Sequence, residues 1–216
     1  MGLGAIFFKP KGMTIESASD CDQKDKVILE SGKFFAEAFW TNKGGSKVAL
    51  SSAKMKTLER DQMAEFRRRY SLSSMNRQSE LVVAQDANGQ IMGCAGIEVD
   101  IVKDPNKSFD AGIEAPLMSN VAVGKKFRRK GIAEDLVKKA EEVAIEWGYS
   151  DVYLLVERQN SPAINLYSKA GYRKVWEDGS ATTLIPSKAG LKSVPTVISC
   201  MRKKLGGGLF SNFLPF

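Results

Sequence analysis

The chain has no histidine. That removes the usual general base near neutral pH, every Ser-His or Cys-His dyad and most zinc chemistry. Proton transfer then falls to Glu, Asp, Tyr, Lys, Cys or water. Cysteine is scarce. Cys21, Cys94 and Cys200 lie far apart with no CxxC pair, which excludes a disulfide framework, gives no metal site and fits a reducing compartment. No run of about 18 apolar residues occurs, so no membrane-spanning helix is expected. Residues 1–10 lack the long apolar core of a secretory signal, and Ile6 stands where myristoylation needs Ser or Thr. No transit peptide, internal repeat, low-complexity linker, Walker A or GxGxxG pattern is legible.

What is present suits one sizeable core: 216 residues, 43% hydrophobic and 26% charged. The net charge of +7 favours polyanions or a phosphorylated small molecule without choosing between them. The charge is uneven, because Lys125, Lys126, Arg128, Arg129 and Lys130 fall close together. Alone, such a run reads as a solvated face, an import signal or a nucleic-acid patch.

Pattern and punctuation predict a first strand over 14–17, a helix over 22–40 weakened by Gly32, a loop over 42–46 and a second helix over 51–70. A hairpin over 80–101 turns at Asn88-Gly89. A strand over 115–123 precedes an amphipathic helix over 132–147 that ends at Gly148. A strand over 151–156 leads to a short helix with Ser161 as N-cap, Pro162 in its first turn and Gly171 past its end. Strands over 172–176 and 196–201 follow, separated by a polar loop over 178–195. Residues 206–216 read as an unstructured tail, and residues 1–205 as one α/β domain. The strands joined by the long helix are expected to be parallel.

The segment Val121-Ala122-Val123-Gly124-Lys125-Lys126-Phe127-Arg128-Arg129-Lys130-Gly131-Ile132-Ala133 is a strand end, a basic turn and a helix start at small residues. A helix N-terminus offers unpaired N–H groups and a positive dipole end, which suits a pyrophosphate. This placement argues against a nucleic-acid patch. Arg128-x-x-Gly131-x-Ala133 resembles the cofactor motif Arg/Gln-x-x-Gly-x-Gly/Ala of the GCN5-related N-acetyltransferase superfamily. Asn160-Ser161-Pro162-Ala163 and Leu166-Tyr167-x-x-x-Gly171-Tyr172 follow that family's later pattern, so the resemblance covers residues 80–177. The segments AEAFW (36–40) and RRRY (67–70) are similar to plastid acetyltransferases of plants and algae, described as acting on lysine side chains and protein N-termini.

The resemblance implies a mixed, mostly antiparallel sheet flanked by helices, with parallel strands at 117–123 and 151–156 splayed to admit the cofactor. It implies acetyl-CoA as co-substrate. Val121, Ala122 and Val123 would meet its pantetheine arm, and N–H groups from Arg129, Lys130, Gly131, Ile132, Ala133 and Glu134 its pyrophosphate. Asn160, Ala163 and Tyr167 would touch it further along. Tyr167 is the candidate general acid, a backbone N–H near Val121 the candidate oxyanion donor, and Glu98, Glu114 and Glu157 are candidate bases. Read without the resemblance, Tyr167 is a core tyrosine, Asn160 a turn residue, Cys94 a small core residue and the three glutamates surface groups. Protein amines in a plastid stroma, or otherwise the cytoplasm, are the expected setting. The alternatives are a small-amine acetyltransferase and a non-catalytic acetyl-CoA-binding or nucleic-acid-binding module.

Overall fold

In the computed structural model, described for residues 9–41, 43, 48–71, 78–109, 111–188 and 190–206, alternating apolar segments pair into a seven-stranded sheet. Its centre is an antiparallel run of β2 (Ser79–Gln85), β3 (Ile91–Val102) and β4 (Ile113–Val123), with β1 (Thr14–Ser17) on the edge beside β2. Beyond β4 come β5 (Asp151–Glu157), β9 (Ile198–Lys204) and β6 (Arg173–Asp178), with β9 antiparallel to both of its neighbours. β4 and β5 are parallel, as a strand–helix–strand crossover requires. Helices α1 (Lys24–Trp40) and α2 (Ser52–Tyr70) cover one face; α3 (Ile132–Glu146) and α4 (Ser161–Lys169) cover the other. The sheet is mixed and mostly antiparallel, as expected.

The apolar stripe of α3 sets its place. Ile132, Leu136, Val137, Ala140, Val143 and Ala144 fall on one side at helical spacing and are buried against β2, β3 and β4. Each large member stabilises the fold by about 1.5–3 kcal/mol. On the opposite face Val27, Ile28, Phe35, Phe66 and Tyr70 bury against Leu81, Val83, Ile91 and Cys94. Gly32 does not interrupt α1. A Cβ there would stand 2.8 Å from Met63 Cα, so the glycine lets α1 and α2 cross in close contact.

Three local expectations are corrected. The polar stretch 178–195 contains a second, two-stranded sheet of β7 (Thr182–Ser187) and β8 (Gly190–Pro195). Its alternation is too polar and too short to read as strand from composition. The N-cap of α4 is Asn160, whose Oδ1 accepts from Ala163 N at 3.3 Å; Ser161 is the first helical residue. At the hairpin turn Gly89 N donates to Asp86 O at 2.9 Å, and only Gly89 has positive φ (+76°), so Asn88 is an ordinary turn residue. Of the loop expected over 42–46 only Lys43 is described. Of the tail expected over 206–216 only Gly206 is described, and the other residues of both segments lie outside the described set.

Candidate active site

Parallel pairing between β4 and β5 is confined to Leu117↔Tyr153 and Met118↔Leu154, after which β4 has no register partner on β5. The cause lies within β4. Gly96 pairs with Ser119 and Cys94 with Ala122, so Ala95 faces two residues, Asn120 and Val121. This is a β-bulge, which bends the strand and disrupts the ladder. Asn120 carries the strain, with φ +54°, a conformation that costs a non-glycine residue about 1–3 kcal/mol. The expected splay over 117–123 therefore has a specific origin.

Past the bulge, β4 leads through a turn of 3-10 helix at Lys125–Phe127 to α3. Arg129 (φ +62°) and Gly131 (φ +82°) are both left-handed, with Lys130 between them. Such alternation curls successive N–H groups into a concave nest that binds anions. Among the described residues, none of the N–H groups of Arg129, Lys130, Gly131, Ile132, Ala133 and Glu134 meets an acceptor; the first helical bond is Asp135 N to Gly131 O, 3.1 Å. The nest and the first turn of α3 thus form one donor array backed by the helix dipole. This fits a diphosphate, and Gly131 is the residue type that its backbone conformation favours.

The side chains of the basic run are not equivalent. Arg128 Nε donates to Val123 O at 3.0 Å, so this guanidinium caps the end of β4. Lys126 lies over the Phe127 ring, 4.8 Å from its centroid, and donates to Gln90 Oε1 at 3.4 Å. Arg128, Arg129 and Lys125 are exposed and Lys130 is half-buried, so they add field more than fixed contacts.

Tyr167 sits in α4 on the α3 side of the sheet, 7% exposed, with Ala163 packed nearby. Its ring meets Tyr172 edge-on at 5.8 Å. Burial pushes its hydroxyl up to about 12. Among the described residues no hydrogen bond engages that hydroxyl. Behind it, Lys203 Nζ donates to Glu141 Oε2 at 2.6 Å. Burial, together with Glu141, holds the Tyr172 hydroxyl far above the ordinary phenol range.

The three candidate bases are not brought together. Glu98 lies on β3 opposite Leu117, on the α2 side, 5% exposed and ion-paired with Arg69. Glu114 is exposed within β4, six residues before the bulge residue Asn120 and so about 20 Å along the strand from it. By alternation it shares the face of Met118, opposite to Glu98. Glu157 ends β5. Its Oε1 accepts from Thr183 Oγ1 at 2.8 Å and lies 3.3 Å from Lys43 Nζ, while Oε2 accepts from Gln159 at 3.0 Å. Burial alone would raise the Glu157 carboxyl, but the Gln159 and Thr183 hydrogen bonds and the Lys43 charge outweigh it and hold it low. Lys43 also donates to Thr183 at 2.9 Å and lies over the rings of Phe39 and Trp40. Glu157 thus ties the α1–α2 connection to the β7–β8 hairpin.

Motif reading missed the polar cluster beside the bulge. Tyr70, the last residue of α2, accepts from Asn120 Nδ2 at 2.8 Å, and Arg69 NH2 donates to Ser119 Oγ at 3.1 Å. Burial pushes the Tyr70 hydroxyl up, against the opposing pull of Arg69. The arginine-rich end of α2 was its sequence signal, but that signal did not say what the end touches. Among the described residues no cluster of His, Cys, Asp or Glu could hold a metal ion, and no helix is long and apolar enough to cross a membrane.

Comparison with known proteins bears on the family and the fold. A family model described as "Acetyltransferase (GNAT) family" matches residues 48–172. "GCN5-related N-acetyltransferase 4, chloroplastic" from Arabidopsis thaliana is 45% identical over 73 residues, which are 34% of this chain and 24% of that protein. "N-alpha-acetyltransferase" from Sulfurisphaera tokodaii is 40% identical over 91 residues, 42% of this chain and 54% of its own length. The chain thus spans less than two thirds of either relative. Among solved structures, a GNAT-family acetyltransferase from Streptococcus pneumoniae superposes with a TM-score of 0.56 at 18% identity, covering 89% of this chain and 99% of its own. That similarity concerns the fold.

Proposed function

Since the chain belongs to the acetyltransferase (GNAT) family, we propose that it transfers the acetyl group of acetyl-CoA to a protein amine, with residues 1–205 forming one catalytic domain. The observation that carries this is the donor array from Arg129 to Glu134 at the foot of a splayed strand pair. In this reading those N–H groups hold the pyrophosphate. Val121 and Ala122 line the splay, with Asn160 and Ala163 at its far side and Tyr167 facing the sulfur. Bound acetyl-CoA supplies a thioester carbonyl open to attack by a neutral amine, and Tyr167 donates a hydrogen bond to the departing sulfur.

The state of the carboxylates bears on the acceptor. Glu98 and Glu157 are both committed to cations, and Glu114 is remote from the bulge. A lysine amine, with pKa about 10.4, costs roughly 4–5 kcal/mol to deprotonate at pH 7, whereas an α-amine near 7.7–8.0 costs about 1–1.5. With water as the proton acceptor, protein N-terminal α-amines are the favoured acceptors in this reading and lysine side chains the slower ones. The printed name of the Sulfurisphaera tokodaii relative, an N-alpha-acetyltransferase, agrees with that order. The Arabidopsis thaliana relative is chloroplastic by its name, which supports a plastid setting.

The test is acetylation of two peptides of one sequence at pH 7.5, one with a free α-amine and no lysine, the other N-blocked with one lysine. Mass spectrometry should show the α-amine peptide acetylated at least ten times faster. Acetylation of spermidine but of neither peptide would replace this reading with that of a small-amine enzyme. Gly131→Val should abolish CoA binding measured by calorimetry; unchanged affinity would remove the donor array from the cofactor site.

A further inference from the structure

Tyr70 closes α2 on the face of the sheet away from the phosphate cradle, yet its hydroxyl reaches the bulge in β4. Three observations make this a built contact. Tyr70 is 3% exposed, with its ring edge-on to Phe66 at 5.4 Å. Its hydroxyl lies where a side chain at position 96 would be: a Cβ on Gly96 would overlap it. Its partner is the residue in the strained conformation, Asn120, whose Nδ2 donates to it at 2.8 Å. The neighbouring Arg69 holds Ser119 through its guanidinium, pairs with Glu98 and accepts at its own carbonyl from Ser79 Oγ at 2.6 Å. The end of α2 is therefore fixed to β2, β3 and β4 at the start of the bulge, where it holds Ser119 and Asn120 of β4.

We propose that Tyr70 and Asn120 are positioning residues for acetyl transfer, holding the β4 bulge so that the strand edge at Val121 keeps its direction toward the reacting carbonyl. This rests on the acetyl-transfer reading above. It adds that helix α2, on the opposite face of the sheet from α3, sets the geometry of the cofactor strand. The bulge lies between the phosphate cradle and the point where β4 and β5 last pair, so loosening it disturbs the reacting end of the cofactor and spares the phosphate end. Turnover should suffer while cofactor affinity does not. A tyrosine kept only for packing would give neither that division nor any coupling to Asn120.

The experiment compares wild type, Tyr70→Phe, Asn120→Gly and the double variant. Phenylalanine keeps the ring contact, and glycine keeps the left-handed conformation. Each single variant should lower kcat for an α-amine peptide about ten-fold, and the double variant should fall no further than the worse single one. CoA affinity by calorimetry should stay within about two-fold, because the phosphate contacts are untouched. Amide hydrogen exchange over residues 117–124 should accelerate in all three variants. Turnover of Tyr70→Phe within two-fold of wild type, multiplicative losses in the double variant, or CoA affinity falling in step with kcat would each overturn the proposal. Should wild type acetylate no amine, the acetyl-transfer reading fails. Hydrogen exchange then decides the bulge alone: faster exchange in both single variants supports the link, and unchanged exchange overturns it.

Discussion

Replacing Tyr167 with phenylalanine separates two ways in which a tyrosine can assist a leaving thiolate. Burial pushes the hydroxyl up to about 12, whereas an ordinary thiol has a pKa of about 8.5. Full proton transfer from this phenol to such a thiolate is uphill by about 3.5 units, roughly 5 kcal/mol. A hydrogen bond donated to the charged sulfur has no such cost and stabilises by about 1.5–3 kcal/mol. Tyr167→Phe should therefore reduce kcat by about 10- to 150-fold, mostly below the 10²–10⁴ range of full acid catalysis. The fold should tolerate the change, since no described residue bonds to the hydroxyl, and the melting temperature should move by less than about 2 °C. Steady-state kinetics over pH 6–10 is the assay. Tyr167 stays neutral until the pH nears 12, so any fall in wild-type kcat below pH 10 must persist in the variant. The reasoning is refuted if a descending limb between pH 8 and 10 vanishes on substitution, or if kcat is unchanged.

Two further outcomes test the physics of the core. Arg69 and Glu98 form a buried ion pair, so Arg69→Met or Glu98→Leu alone should destabilise by about 3–5 kcal/mol and the double variant by much less; urea denaturation of all four proteins gives the cycle, and additive losses would show that the pair is not coupled. Burial pushes the Cys94 thiol up to about 12 from 9.0. A raised folded pKa favours the protonated form, so its stabilisation is complete below pH 9 and is lost between pH 9 and about 12. The stability advantage of wild type over Cys94→Ala should accordingly shrink by about 1.4 kcal/mol per pH unit above 9, and a difference constant from pH 8 to 11 would contradict it.

The parts of the molecule that sequence reading reached are those in which neighbours along the chain do the work. The proposed phosphate cradle is contiguous from Arg128 to Glu134 and consists of backbone N–H groups at a helix start, so residue order is enough to point to it. The amphipathic period of α3 and the glycines at 148 and 171 likewise act within one turn. Position-by-position errors arose where two neighbours were chemically equivalent. Asn160 and Ser161 are both good caps, and only the geometry shows that Asn160 accepts from Ala163. The β7–β8 hairpin was missed for another reason. Its strands carry Thr, Ser, Lys and Pro with few apolar residues, and their pairing with each other leaves no clear period-two signal.

The polar cluster beside the bulge was least legible because it is assembled from separated segments. Arg69 and Tyr70 end one helix, Gly96 and Glu98 lie on a strand almost thirty residues later, and Ser119 and Asn120 lie on the next strand. Nothing local marks Gly96 as the slot for a tyrosine hydroxyl, or Gly32 as a helix crossing; each is small because of what a distant side chain or backbone occupies. The glutamates show the same limit from the other direction. Proximity to the cofactor strand in sequence made Glu98, Glu114 and Glu157 equal candidates, but pairing partners separate them: one is neutralised by Arg69, one braces a hairpin through Lys43 and Thr183, one faces solvent. For Glu157 the Gln159 and Thr183 hydrogen bonds and the Lys43 charge hold the carboxyl low against the effect of burial, which makes it a poor proton acceptor. In the proposed reading, the dispersed cluster therefore bears on the choice of acceptor and the contiguous motif on the carrier: an amine that gives up its proton to water at little cost fits the partners found for Glu98 and Glu157.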